Sequence, residues 1–428
     1  MKIAFLFSTL EGYGLVKIAF TLIKELKHNY PVEIHAITLS KEPENSMIDA
    51  FKQENIPVHS LNMSRIKGMF YAQKALARLV NKEQFNILHS HGFRANLIHH
   101  QIKKLIPKTK EVMTVHLDPK DDAKHPLGPL FSLWRTNKHT NIIREADNIV
   151  ACSKSVSKSL EKYNIHISAI QNGIEIPSLQ RNKTMSDLLK KDLGISGKTV
   201  SIVISGLHPR KNIKTIIEVY NKLGNSYPLL IIGEGSVKKE LEESANSNIL
   251  FLGFKKNIIP YLQIADLYIS ASYSEGLPLS VLEAMSNQVI PILSSIDPHK
   301  EIVQNSCFEN YLFDCDDTGA LYKICNSLLN QKDGIEELKV AAREIIINHF
   351  GTKNGKRLLS TLFILQVMNP IISIITVTMN HLPLLKKMLS SLYIDNPPKV
   401  NFELILVDNC STDNTEEFIR AHYPQIRY

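Results

Sequence analysis

Cysteine is scarce in this chain of 428 residues: there are five, at positions 152, 307, 315, 325 and 410, with no Cys-x-x-Cys pair and no even set. That argues against a disulfide-stapled secreted domain. With a strand pattern opening the chain at once, it leads us to expect a cytoplasmic protein, at most held at the inner face of the cell membrane. No basic run interleaved with aromatics is present, so nucleic acid is not singled out as a partner. The net charge of +8 and the pI near 9.0 still favour anionic partners, of which nucleotide diphosphates and a membrane surface are the simplest. Charge is missing altogether from residues 358–380, a length that would cross a bilayer as a helix. Asn369-Pro370 interrupts that stretch and residues 371–377 are β-branched, so its second half reads as strand and no transmembrane helix is expected.

What is present is core: 44% hydrophobic residues fill two or three α/β domains. Apolar β-rich runs alternate with helical periodicity. Strands are expected at 2–7, 32–38, 87–91, 112–116, 148–152 and 167–170, with helices at 17–27 and 67–81. After a polar stretch over 177–192, a second series of strands falls at 199–204, 228–232, 249–252, 267–270 and 290–293. This alternation predicts two doubly wound parallel-sheet domains, with ligand at the strand C-termini in the cleft between them.

The most informative stretch runs from Ser274 through Glu275, Gly276, Leu277 and Pro278 to Glu283. Gly276 and Pro278 break a buried strand and Pro278 suits the first turn of a helix reaching Asn287. One glutamate therefore sits at the strand's exit and the other in the helix. Free N–H groups at the helix start can hold phosphate, and the flanking carboxylates can accept from sugar hydroxyls. This pattern resembles the paired-glutamate motif of family 4 glycosyltransferases, retaining enzymes of the GT-B fold. Further segments match the same family in order over residues 1 to about 366. Glu11-Gly12-Tyr13-Gly14 resembles its glycine loop, and Gln171-Asn172-Gly173-Ile174 the turn closing the first domain. Ile231-Ile232-Gly233-Glu234-Gly235 resembles the turn under the nucleotide base, and His116 the histidine near the donor sugar. Ser205-Gly206-Leu207-His208-Pro209-Arg210-Lys211-Asn212 resembles the phosphate loop, but Gly206 stands where the family has arginine. Either Arg210 substitutes, or the diphosphate is held by one fewer cation. The segment 295–301 departs from the family's glycine-rich version. His89 and His91, two apart in His89-Ser90-His91-Gly92, lack a third residue at metal spacing and read as packed histidines.

The resemblance implies transfer of a sugar from a nucleotide diphosphate sugar to a saccharide or lipid-linked hydroxyl, in cell-surface polysaccharide or lipopolysaccharide synthesis. It implies catalytic roles for Glu275, His116 and Lys211, and donor contacts from Glu283, Arg210, Gly276, Leu277, Gly14, Gly233 and Asn172. No metal or other cofactor is implied for this module. A nucleotide-sugar 2-epimerase of the same fold, or a non-catalytic nucleotide-sugar-binding scaffold, remain alternatives. Expected domains are 1–176, with a helix at 353–367 packing back on it, and 177–352. The lysine-bearing helix at 64–82 and the patch Lys103, Lys104, Lys108 and Lys110 suit peripheral contact with an anionic membrane, and equally suit solvated faces.

Residues 369–428 resemble the opening of a family 2 glycosyltransferase of the GT-A fold, in which Asp408 would contact the nucleotide base. A complete module of that kind would need a divalent metal. Two strands and two helices cannot cover both faces of a parallel sheet, so this segment is expected to be marginal alone and to be the front of a longer two-enzyme polypeptide.

Overall fold

A computed structural model of the chain describes residues 1–12, 14–122, 128–179, 182–331, 333–351, 372–395, 402–423 and 426–428. The chain divides into two compact units, Met1–Ser360 and Thr361–Tyr428.

The first unit holds two six-stranded parallel sheets. In the first, β1 (Lys2–Phe7), β2 (Glu33–Thr38), β3 (Val58–Ser60), β4 (Ile87–His91), β5 (Lys110–Val115) and β6 (Ile149–Ala151) lie in the order β3-β2-β1-β4-β5-β6. Ile3 pairs with Ile34 on one side and with Ile87 on the other, so β1 is central and its side chains from Ile3 to Phe7 are fully buried. The second sheet contains β7 (Ser201–Ile204), β8 (Leu229–Ile232), β9 (Ile249–Gly253), β10 (Leu267–Ser270), β11 (Ile290–Ser294) and β12 (Leu312–Phe313), ordered β12-β11-β10-β7-β8-β9. Strands such as Leu229–Ile232 are apolar throughout because helices cover both faces. In each sheet the strand order reverses at one point, between β1 and β4 and between β7 and β10. Loops leaving those strand ends diverge and open a crevice, the usual ligand position in such sheets.

The α/β architecture of two doubly wound domains is as expected, with three local corrections. Residues 167–170 do not form a strand: only Ala169 bridges to Ala151. The sixth strand of that sheet is β3, whose Val-His-Ser sequence carries too little apolar pattern to be read. The polar stretch contains a helix, Lys183–Asp192, capped by the Asn182 side chain accepting from Met185 N–H. None of its residues is fully buried; Leu189 on its inner side packs against the core of the second sheet, and the polar residues around it hide that pattern in the sequence. The helix expected at 353–367 lies outside the described residues, as does most of the uncharged stretch. Among the described residues no helix is long and apolar enough to cross a membrane.

The second unit pairs β13 (Ile372–Thr378) with β14 (Phe402–Asp408) in parallel. Leu404 and Leu406 pack with Leu385, Leu389 and Ile419 on one face, while Ile375, Val377 and Val407 remain exposed on the other. Among the described residues of this unit, the helices Leu382–Ser390 and Thr415–His422 both pack on that one face.

Candidate active site

The crevice at the two switch points is a cleft of about 430 Å³. Of the residues expected to act in the first module, all line it: Gly14, His116, Asn172, Arg210, Lys211, Gly233, Glu275, Gly276, Leu277 and Glu283. Asp408 is in the second unit, at the end of β14, where the Ser411 and Tyr428 hydroxyls donate to its carboxylate and lower its pKa.

Glu275 is the electrostatic centre. It follows β10 in the loop before the helix Leu279–Ser286, and Pro278 is that helix's N-cap. The Lys211 ammonium donates to Glu275 Oε1, Ser272 Oγ donates to the same oxygen at 2.8 Å, and Arg210 lies 3.5 Å from Oε2. Burial works to raise the carboxyl, but the two cations overcome it and hold it at about 2. Burial pulls the ammonium of Lys211 down, opposed by Glu275. The pair is ionised, since each member's counter-charge is in contact. Arg210 also donates to the Ser274 carbonyl, so its guanidinium buttresses the Glu275 loop while still facing the cleft.

Glu283, in the helix, meets a lysine from the other domain: Lys17 Nζ lies 3.5 Å from its Oε1. Burial raises the Glu283 carboxyl above its usual range, and Lys17 pulls it back in part. His116 follows β5, and its Nε2 is 3.0 Å from His91 Nδ1. Burial lowers the His116 imidazole to about 4, so it is neutral near pH 7. His89 instead pairs with Thr114 Oγ1 at 2.8 Å, and the His89 and His91 rings are 4.2 Å apart among Phe5 and Phe7. Among the described residues no three His, Cys, Asp or Glu side chains converge as a metal site.

Two glycines let backbone segments meet closely at the cleft wall. A Cβ at Gly276 would overlap the His116 carbonyl oxygen and lie 3.1 Å from Cys152 Sγ, while Ser153 Oγ donates to Gly276 O at 2.9 Å. Gly233 has φ +147°, and a Cβ there would overlap the Ser205 carbonyl oxygen. Gly14 has no such neighbour; a Cβ there meets nothing within 4 Å. At Gly206 a Cβ would come within 3.1 Å of His208 Cδ2, so His208 fills the space beside the position where the family carries arginine.

Several contributors escaped sequence reading: Lys17, His208, Ser153 and Glu301. The clearest is Glu301, in the departing segment 295–301. Its carboxylate accepts from Lys154 N (2.9 Å), Ser155 N (2.8 Å), Ser155 Oγ (2.7 Å) and Gln171 Nε2 (2.6 Å). It thereby binds the free N–H groups at the start of the helix Lys154–Leu160 and joins the two sheets' domains.

Comparison with known proteins assigns this arrangement. Residues 13–176 match the Glycosyltransferase Family 4 model, residues 185–345 the Glycosyl transferases group 1 model, and residues 373–428 the Glycosyl transferase family 2 model. An Escherichia coli UDP-Gal:alpha-D-GlcNAc-diphosphoundecaprenol alpha-1,3-galactosyltransferase is 24% identical over 81% of this chain and 92% of its own length. A Campylobacter jejuni alpha-1,4-N-acetyl-D-galactosaminyltransferase, named for a diphosphoundecaprenol-linked (PP-undecaprenol) saccharide, is 23% identical over 80% of this chain and 93% of its own. Anabaena HepE, solved with UDP and glucose, superposes with a TM-score of 0.71 at 16% identity, covering 85% of this chain and 99% of that one. The fold is that of the GT-B class. The chain is a glycosyltransferase, built of a family 4 half and a group 1 half and followed by a family 2 segment.

Proposed function

We propose that the cleft takes the sugar of a nucleotide diphosphate sugar and transfers it, with retention, to a hydroxyl of a lipid-linked saccharide during cell-surface polysaccharide or lipopolysaccharide assembly. The observation that carries this reading is the ionised Lys211–Glu275–Arg210 cluster facing one cleft with Glu283 and neutral His116. Departure of a nucleoside diphosphate develops negative charge, and Lys211 with Arg210 is placed to stabilise it. Glu275 accepts from sugar hydroxyls, Glu283 from the ribose, and His116 lies beside the sugar. Gly14 leaves open space for the phosphates, Gly233 shapes the turn under the base, and the Gly276-Leu277 main chain with Asn172 completes the donor contacts. The acceptor oxygen bonds to the anomeric carbon on the face the diphosphate vacates, the carbon–phosphate oxygen bond breaks, and a phosphate oxygen takes the acceptor proton. Glu275 has both oxygens engaged by cations or Ser272, which favours hydroxyl binding over nucleophilic attack.

Lipid-linked acceptors in the names of the Escherichia coli and Campylobacter relatives support that choice of acceptor, and peripheral contact with an anionic membrane goes with it. Uridine diphosphate sugars are the first donors to test, as UDP-Gal is the relative's donor and HepE holds UDP. Thermal stabilisation of the full chain by UDP-, GDP- and ADP-sugars, with and without magnesium, tests the reading. Stabilisation by one donor class, lost in Glu283→Ala, supports it; stabilisation by none overturns it. Incubation without acceptor separates an epimerase, which would convert the donor alone.

A further inference from the structure

Three helices of the first unit, Arg65–Glu83, Phe93–Ile102 and Pro129–Glu145, connect β3 to β4, β4 to β5 and β5 to β6. Each crossover advances in the same direction along the sheet, and right-handed connections therefore place all three on one face. The topology thus brings together two basic segments that are separate in sequence, and adds an apolar element on a third helix of the same face.

That element is the first part of Pro129–Glu145. Leu130 is 83% exposed, Leu133 58% and Trp134 52%, at the i, i+3, i+4 spacing of one helical face. Large apolar side chains grouped in this way on a helix mark an interaction site. On Arg65–Glu83 the exposed positions Tyr71, Lys74 and Arg78 place an aromatic ring at the head of a basic stripe. Lys104, Leu105 and Lys108 continue the exposed basic surface after Phe93–Ile102. Two acidic groups on the layer are neutralised locally, Glu83 by Lys2 at 2.9 Å and Asp147 by Lys103 at 2.7 Å, while Glu145 faces the His100 imidazole at 3.3 Å. The face is therefore basic with an apolar tip, which complements a negatively charged bilayer better than a neutral protein groove.

The tip is also tied to the reaction site. Arg135 and His139, on the inner side of the same helix, lie 3.4 and 3.7 Å from the Asp122 carboxylate, and Asp122 lines the cleft. We propose that this helix layer docks on an anionic lipid surface. Leu130, Leu133 and Trp134 enter the headgroup boundary and the lysines and Arg78 meet lipid phosphates, which presents the cleft to a membrane-borne acceptor. This rests on the lipid-linked acceptor reading above.

The chain's single tryptophan, Trp134, is its own reporter. The full chain is mixed with phosphatidylcholine vesicles containing phosphatidylglycerol, and Trp134 emission and co-sedimentation are followed as salt is raised. The expected result is a blue shift with binding that weakens with salt. L130E/L133E keeps the reporter and should bind at least about tenfold more weakly, while its melting temperature and its stabilisation by UDP-sugar stay those of the parent. No shift and no sedimentation of the parent, or equal sedimentation of the variant, overturns the proposal. A parent dimer that L130E/L133E dissolves, without vesicle binding, assigns the face to a second copy and also overturns it. Failure of the donor reading shows separately, as absence of UDP-sugar stabilisation in a parent chain that still binds vesicles.

Discussion

Gly276 lies against the main-chain carbonyl of His116, where a Cβ would stand 3.0 Å from the carbonyl carbon and overlap its oxygen. The loop carrying Glu275 is thus seated directly on the strand end carrying His116, with no side chain between them. Gly276→Ala must push the two domains apart, because the obstacle is backbone and cannot rotate away. It should cost about 2 kcal/mol of stability and lower turnover, measured by thermal unfolding and initial rates. An alanine variant with parent values would show that the domains close differently in solution.

Glu275→Gln keeps the shape of the side chain but leaves Lys211, 16% exposed, without its counter-charge. About 3 kcal/mol of stability should be lost, and turnover should fall about a hundredfold as the cation cluster relaxes. Unchanged stability with full turnover would remove Glu275 from both roles.

His208 occupies the space beside Gly206, with Cδ2 3.1 Å from where a Cβ would be. Gly206→Arg alone should therefore disturb the loop and weaken UDP binding. Adding His208→Ala makes room, and the double variant should bind UDP about tenfold more tightly than Gly206→Arg, as read by calorimetry. Equal affinities would mean that the arginine cannot reach the phosphates from this backbone.

Burial holds His116, His139 and His299 at about 4 and His89 and His99 at about 3, and lowers His91 as well. In the unfolded chain each returns to about 6.5, so the unfolded state binds more protons between these values. Stability should be full above about pH 6.5 and fall as the pH drops toward 4, by about 1.4 kcal/mol per pH unit for each histidine that stays neutral. Glu275 adds a loss of the same sign below its unfolded value, as pH falls toward 2. Urea midpoints between about pH 7 and 5 check this; a flat midpoint would mean that these histidines protonate without unfolding.

Much of the site was legible because its parts are local. Glu275 and Glu283 fall on either side of a strand-to-helix junction marked by Gly276 and Pro278, and Lys211 sits in a loop directly after a strand. Lys17 was not legible: on a helix with buried Val16, Ala19 and Leu22 it reads as one more solvated lysine. In the sequence Glu301 stands out only as part of a departing segment. Its four donors come from residues 130 or more positions away, which no local pattern encodes. Leu130, Leu133 and Trp134 carry no mark in the sequence of the exposure that the structure gives them.

The α/β class, the succession of strands and the loops that bear charge were determined by the sequence alone, since side-chain periodicity and turn chemistry act over a few residues. Only the tertiary structure decided which loops meet. Lys17 reaches Glu283 across 266 positions, Glu301 caps a helix of the other domain, and three helices share one basic face. Such meetings depend on strand order and crossover direction, and burial then sets which charges stay ionised and which histidines stay neutral.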